Sequence, residues 1–293
     1  MKNKLSLFAV PYVGWMSIFV VAPIIIMVVY AFSTAAGDFT LENFARMGTY
    51  TAVFTRSFKL AFIATLIALL IGYPVSYMLS KEGPQVQRIA MVLIMLPMWM
   101  NFLLRTYSWM SILENNGLLN QLFQQIGLID LYNQIAMHFA SDPAAYVPID
   151  HFQMIGTQGA VVLGMVYNYL PFMILPIYSV LVKLDHSLIE AARDLGASSV
   201  QVFRKVILPL SLPGVLSGIT MVFVPSVSTF AISRLLGGGT QMMLGDLIEQ
   251  QFLGGAYNPQ LGAAIALVMM AIVVVCMLVM NRFGDGEEQA VML

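Results

Sequence analysis

The sequence predicts an all-α membrane protein with six transmembrane helices and both termini in the cytoplasm. Three observations carry that prediction. The chain has 293 residues, of which 59% are hydrophobic and only 10% charged, whereas soluble domains carry about 25% charged residues. Several stretches without Asp, Glu, Lys or Arg are long enough to cross a bilayer. The positive charges gather on alternate connections between those stretches.

A hydrocarbon core about 30 Å thick needs roughly 20 apolar residues in a helix. Leu5–Gly37, Leu60–Ser80, Phe152–Val182, Val206–Ser233 and Gln250–Asn281 each suffice alone. Ile89–Leu104 is shorter and continues past Arg105 through Tyr107 and Trp109. The expected spans lie near 8–32, 58–80, 89–112, 157–181, 212–235 and 260–281, within one transmembrane domain covering 1–293. Lys2 and Lys4 precede the first run as in a signal peptide, but an h-region is only about 7–15 residues long, so this run reads as an uncleaved anchor.

With the N-terminus inside, the inner segments carry Lys2, Lys4, Lys81, Arg88, Lys183, Arg193, Arg204, Lys205 and Arg282. The outer segments carry Arg46, Arg56 and Lys59, with Arg105 and Arg234 at their margins. That bias places both termini in the cytoplasm. Arg105 lies 17 residues after Arg88, about 25 Å along a helix, and so reads as an interfacial anchor beside Trp109, with a role in the transport path as the alternative. The same argument, run from Pro213, makes Arg234 an anchor.

The outer connection 113–155 begins as an amphipathic helix. Leu118, Leu119, Leu122, Ile126 and Ile129 share one side; Asn115 or Asn116 can cap it and Gly127 can interrupt it. It suits packing on the protein, an outer interface or an external partner, and the sequence leaves these open. Pro97, Pro171, Pro176 and Pro225 fall inside spans and each is expected to bend its helix, marking the third, fourth and fifth spans as walls of a pathway. Cys276 lies in an apolar run and reads as a core residue.

The inner loop 183–211 is the informative one. Ser187 with Glu190, and Ser198 with Gln201, have capping-box spacing. Leu188, Ile189, Ala192 and Leu195 form one apolar face, and Gly196 ends the helix at a position suited to positive φ. A second short helix is expected to run to about Ile207 and stop at Leu208-Pro209. By spacing alone this is either a helix lying on the bilayer or a plug for a cytoplasmic partner.

Several function classes are excluded. Walker A needs Gly directly before Lys, and no lysine here is so preceded. There is no His-Glu-x-x-His, and His138, His151 and His186 fall outside the spans. No basic run points to nucleic acid. Catalytic residues and metal ligands are therefore not expected, and ATP must bind another polypeptide. No expected span interior holds a carboxylate, which argues against a proton- or sodium-coupled carrier.

The loop resembles the EAA motif of ABC-importer permeases: Glu190-Ala191-Ala192, Gly196, then Val206-Ile207-Leu208-Pro209, with Val206 where that family usually has Ile. The resemblance implies a type I importer permease fold in which Glu190, Ala191, Ala192, Arg193, Asp194, Leu195, Gly196 and Ala197 form a coupling helix that fits a cleft in an ATPase subunit. It extends along the chain and is closest to spermidine/putrescine importer permeases, through Pro97-Met98-Trp99, Leu104-Arg105-Thr106-Tyr107-Ser108-Trp109 and Asn168-Tyr169-Leu170-Pro171-Phe172-Met173. It implies cytoplasmic ABC ATPase subunits carrying ATP and Mg, no cofactor on this chain, a second homologous permease and an extracytoplasmic binding protein. Aromatic faces attract ammonium groups, so Trp99, Tyr107, Tyr167, Tyr169 and Phe230, with Asn101 and Asn168, are candidates for lining the path. A permease for another small solute, a secondary transporter and a membrane assembly factor are the alternatives.

Overall fold

The long apolar runs become helices because a backbone in lipid must satisfy its own hydrogen bonds. The computed structural model describes residues 11–139, 146–255 and 257–291. Twelve helices are labelled in chain order: α1 Pro11–Ala31, α2 Thr51–Ser80, α3 Pro84–Trp99, α4 Phe102–Leu113, α5 Leu118–Gln125, α6 Leu128–Phe139, α7 Gln158–Leu181, α8 His186–Asp194, α9 Ser199–Ser228, α10 Ala231–Leu236, α11 Leu244–Leu253 and α12 Pro259–Val291. Among the described residues extended pairing is limited to one isolated bridge, Ser33 with Phe39, so the all-α class holds. Five helices are long and apolar enough to cross a membrane, and α3 with the helix following it makes a sixth crossing if that bent pair counts as one.

The centre of the bundle is α2, α7 and α9, each packed against the other two. Small residues let these backbones approach, as in membrane helix pairs generally. A Cβ on Gly72 would sit 2.9 Å from Met173 Cγ, and one on Gly214 would sit 2.8 Å from the Pro176 carbonyl. Hydroxyls then bridge the helices: Tyr73 and Ser211 meet at 2.9 Å, and Ser76 donates to the Ile174 carbonyl at 3.1 Å. Met173, Ile177, Val215 and Val222 fill the interior of this three-helix unit. The first span is peripheral. Its 18-residue apolar window has no buried residue, and it meets the bundle where Ala31 packs on Ala263 and Ala264 of α12.

Two departures from regular helix share one cause. Ser17–Val21 and Phe203–Ile207 are π-helical turns, closed by Ala22 N–H to the Ser17 carbonyl and Leu208 N–H to the Phe203 carbonyl. Each ends just before a proline, Pro23 or Pro209. Proline lacks an N–H and its ring crowds the preceding turn, and a widened turn relieves both. The expected stop at Leu208-Pro209 is therefore wrong. The chain runs through Pro209 as one helix, α9, into the fifth span.

Proline acts differently in the third span. The sequence suggests one helix over 89–112; instead α3 ends at Trp99, two residues after Pro97, and the chain turns by 90° into the next helix. Asn101 makes the restart, its Oδ1 accepting from the Leu103 and Leu104 N–H groups at 2.8 and 3.4 Å. Pro225 is likewise followed by the end of α9 at Ser228, with Thr229 extended before α10 begins. By contrast α7 is unbroken through Pro171 and Pro176.

The outer connection folds into α5 and α6, with Gly127 at φ +72° between them. Neither Asn115 nor Asn116 caps α5; Gly117 occupies that position without a side-chain bond. Asn120 and Asn133 instead clamp the returning segment. Asn120 exchanges bonds with both backbone groups of Phe152, and Asn133 does so with Ile149. Leu118, Leu122 and Ile126 remain exposed while Ile129 is buried.

Candidate functional site

The loop after α7 is built by local capping. The Ser187–Glu190 capping box does not form. Asp185 is the N-cap, its Oδ1 accepting from the Ser187 N–H at 2.9 Å. That backbone N–H holds the Asp185 carboxyl below the usual carboxylate range. A carboxylate two residues upstream outcompetes the Ser187 hydroxyl because it brings a charge to the positive end of the helix. At the other end Gly196 N–H reaches the Arg193 carbonyl at 2.8 Å and Ala197 N–H the Ala192 carbonyl at 3.0 Å, the Schellman pattern. Gly196 has φ +83°, and a Cβ there would meet nothing within 4 Å. The glycine is required by the turn's handedness and not by crowding within this chain. The second capping box is present, with Ser198 and Gln201 bonding each other's backbone.

The expected single apolar face divides in two. Ile189, Ala192 and Ala197 pack on the bundle floor with Leu181, Val202 and Ile207. Leu188 is 48% exposed and Leu195 89% exposed. Glu190, Ala191, Arg193, Asp194 and Gly196 are exposed beside them. Among the described residues Glu190, Arg193 and Asp194 make no ion pair within the chain. The helix is thus fixed from behind and presents a small apolar surface edged by free charges.

The candidate pathway residues separate into groups. Trp99 (74% exposed) and Tyr107 lie on the uncovered surface at the broken third span, and Asn101 is occupied as the α4 cap. Tyr167 stacks edge-on against Trp109 at 5.2 Å. Asn168 is buried and donates to the Gly164 carbonyl, with its own Oδ1 unpartnered. Tyr169 is partly buried and packs against both clusters that fill the centre of the bundle. Phe230 is half exposed at the start of α10. Because α4 packs on α10, the two helix breaks adjoin, with Tyr169, Arg105, Thr229 and Phe230 around them.

The anchor expectation for Arg105 requires correction, and Arg234 has partners within the chain. Arg105 is 8% exposed, and its Nε and Nη1 are enclosed without partners. The turn at Met100 swings α4 onto the bundle and carries Arg105 inward. Arg234 is an ion-pair hub: Nη2 lies 2.6 Å from Glu249 and Nε 3.5 Å from Asp246. Ser233 also donates to the buried Asp246, so α10 and α11 are tied at this point. Burial pushes the Asp246 carboxyl above its ordinary value. No sequence spacing signals that Asp246 and Glu249 bind Arg234. Cys276 is a free thiol, half-buried in an apolar groove with Phe62, Thr65 and Phe223. Among the described residues no group of His, Cys, Asp or Glu could hold a metal ion.

Residues 68–286 match the family described as "Binding-protein-dependent transport system inner membrane component". The chain is 35% identical to the spermidine/putrescine transport system permease protein PotB of Haemophilus influenzae, over 93% of each chain. A bacterial ABC transporter that imports the acidic polysaccharide alginate contains a similarly folded chain, with TM-score 0.76 at 16% identity, covering 97% of this chain and 96% of that one. A second alginate transporter structure, in complex with an alginate pentasaccharide-bound periplasmic protein, gives TM-score 0.71 at 17% identity over 96% and 94% of the two chains. At those identities the structures establish the fold alone. The apolar bundle, the loop over 186–197 and the family match agree: this chain belongs to the binding-protein-dependent inner-membrane components, the multi-pass permeases of ABC importers.

Proposed function

We propose that this chain is the permease subunit of a polyamine importer, carrying spermidine and putrescine across the inner membrane by alternating access. The carrying observation is α8, a helix capped at both ends, braced against the bundle and presenting Leu188 and Leu195 uncovered. Burying such side chains in a partner's cleft is favourable by about 25 cal/mol per Å² of apolar area. A rigid short helix transmits force where a flexible loop would absorb it. In this reading Glu190–Ala197 docks on a cytoplasmic ABC ATPase that holds ATP and Mg, and both termini are cytoplasmic. A second, related permease completes the path, and an extracytoplasmic binding protein delivers substrate. The similarity to a spermidine/putrescine permease over nearly the whole chain supports the substrate class. The aromatic residues Trp99, Tyr107, Tyr169 and Phe230 suit ammonium groups, and the absence of acids from this chain's span interiors suits passage without retention.

Uptake of labelled spermidine and putrescine, compared in cells with and without this gene, tests the substrate. ATP-dependent uptake that disappears with the gene and returns with its wild-type copy is expected. Unchanged uptake in cells lacking other polyamine importers removes the substrate assignment and moves the search to other small solutes.

A further inference from the structure

The halves of α2 and α7 farthest from α8 leave a groove between them. Its volume is about 500 Å³, and its walls come from these two helices alone. Leu60, Ile63, Ile67, Val162 and Val166 make the lining apolar. One end differs, where Lys59 meets Gln158, the first residue of α7. The third span does not close the groove. Gln87 Nε2 donates to the Ser80 carbonyl at 3.4 Å and Gln87 Oε1 accepts from Tyr178 at 3.0 Å, which holds α3 to this helix pair at the opposite end. After Trp99 the chain turns away by 90°.

Lys59 sits where a bilayer boundary falls, directly before the charge-free run Leu60–Ser80. From Lys59 to Ile71 the groove follows α2 for about 18 Å, close to the roughly 15 Å of hydrocarbon in one leaflet. Its volume over that length makes it about 6 Å wide, too narrow to admit a helix about 10 Å across. Apolar walls also keep water out. An extended acyl chain fits both limits.

The charge at the mouth has no counter-charge in this chain. Arg46 pairs with Glu42, and Arg234 with Asp246 and Glu249. Among the described residues Lys59 makes no ion pair, and it is exposed. Arg56, one turn away, donates to the Thr240 and Met242 carbonyls; these are neutral acceptors and leave its charge uncompensated. A cationic substrate is repelled from such a mouth, so the groove is no part of a polyamine path.

We propose that this groove is a binding site for an anionic phospholipid, with one acyl chain between α2 and α7 and the head-group phosphate on Lys59. Basic residues at a membrane boundary attract anionic head groups, and the apolar walls hold the chain. The lipid belongs to the leaflet opposite α8, the outer one when α8 is cytoplasmic.

The test is native mass spectrometry of the importer purified from membranes, with phospholipid retained by this chain as the readout. Retention of phosphatidylglycerol in preference to phosphatidylethanolamine, whose head group has no net charge, is expected. Lys59→Gln lowers that retention about fivefold, the effect of one basic residue near an anionic surface, and Lys59→Arg keeps it. Leu163 lines the groove and is 39% exposed, so Leu163→Trp fills the space from its rim and displaces the lipid. Leu70→Trp, at a 65% exposed position outside the groove, leaves retention unchanged. For a variant that purifies poorly, the second readout is the melting temperature, raised by added phosphatidylglycerol in wild type and not in Lys59→Gln or Leu163→Trp. Equal retention in wild type, Lys59→Gln and Leu163→Trp overturns the proposal, as does equal retention of the two lipids. A wild type that keeps no anionic lipid overturns it too; if Leu163→Trp then sheds the second permease, the groove is a subunit contact. Retention is read without substrate or ATP, so failure of the polyamine assignment leaves this test standing.

Discussion

Gly196 is the residue on which the loop after α7 turns. Its φ of +83° lies where an L side chain is strained, and open space around its Cβ position means that strain is the whole penalty. Gly196→Val should cost about 1–2 kcal/mol locally, leave the bundle folded and displace Leu195 and Ala197. Asp185 holds the other end. Asp185→Ala removes the acceptor for the Ser187 N–H and frays the first turn of α8, while Asp185→Asn keeps a capping oxygen. Faster amide exchange at Ser187 and Leu188 in the alanine protein alone is the expected outcome. The lowered Asp185 carboxyl makes its contribution complete above the ordinary carboxylate range and lost as pH falls through the depressed value. The motif residues of this loop were legible because capping and the Schellman turn are local. The cap itself was misassigned, since Asp185 and Ser187 both fit the spacing and only geometry chooses between them. Arg105 was not legible at all. Its burial follows from a 90° turn that Pro97 permits but does not announce.

At the scale of elements, glycines set how closely α2, α7 and α9 approach. A Cβ on Gly214 would lie 2.8 Å from the Pro176 carbonyl and 3.1 Å from Ile177 Cα, both backbone atoms that cannot rotate away. Gly214→Leu should therefore push α9 off α7 and destabilise the protein by about 1–3 kcal/mol, read as a lower melting temperature in detergent. Gly48→Ala, with nothing within 4 Å, should leave it unchanged. The tie between α10 and α11 predicts a pH dependence. Burial raises the Asp246 carboxyl, so the folded state binds that proton more tightly than the unfolded chain. Its contribution to stability is full below the ordinary carboxylate range and is lost as pH rises through the raised value. The difference in melting temperature between wild type and Asp246→Asn should shift against the wild type as pH rises from about 4 to 7. A pH-independent difference would mean that Asp246 titrates normally. The helices themselves were legible from apolar runs. Their breaks were not, because proline has three outcomes here: a break after Pro97, a widened turn before Pro209 and an unbroken helix through Pro171. Packing around each proline decides which occurs.

The whole molecule is a three-helix centre with unfinished edges. The first span contacts little beyond α12, the α4 surface is uncovered beside an unpaired charge, and α8 projects exposed leucines. A membrane permease that works in an assembly accounts for all three, and the family match establishes that class. At this level the sequence is legible through its composition, its charge asymmetry and one loop motif. It was silent on which surfaces meet which partners, since partner contacts impose no periodicity on a single chain.

The central claim is that the loop at 186–197 couples this permease to ATP hydrolysis. It is tested most directly by the ATPase activity of the purified importer in lipid, measured with and without substrate-loaded binding protein. Wild type should be stimulated. The Gly196→Val complex should retain its ATPase subunits and basal rate but lose most of that stimulation. Equal stimulation in the two complexes would contradict the account, because it would leave the turn at Gly196 without a part in transmission.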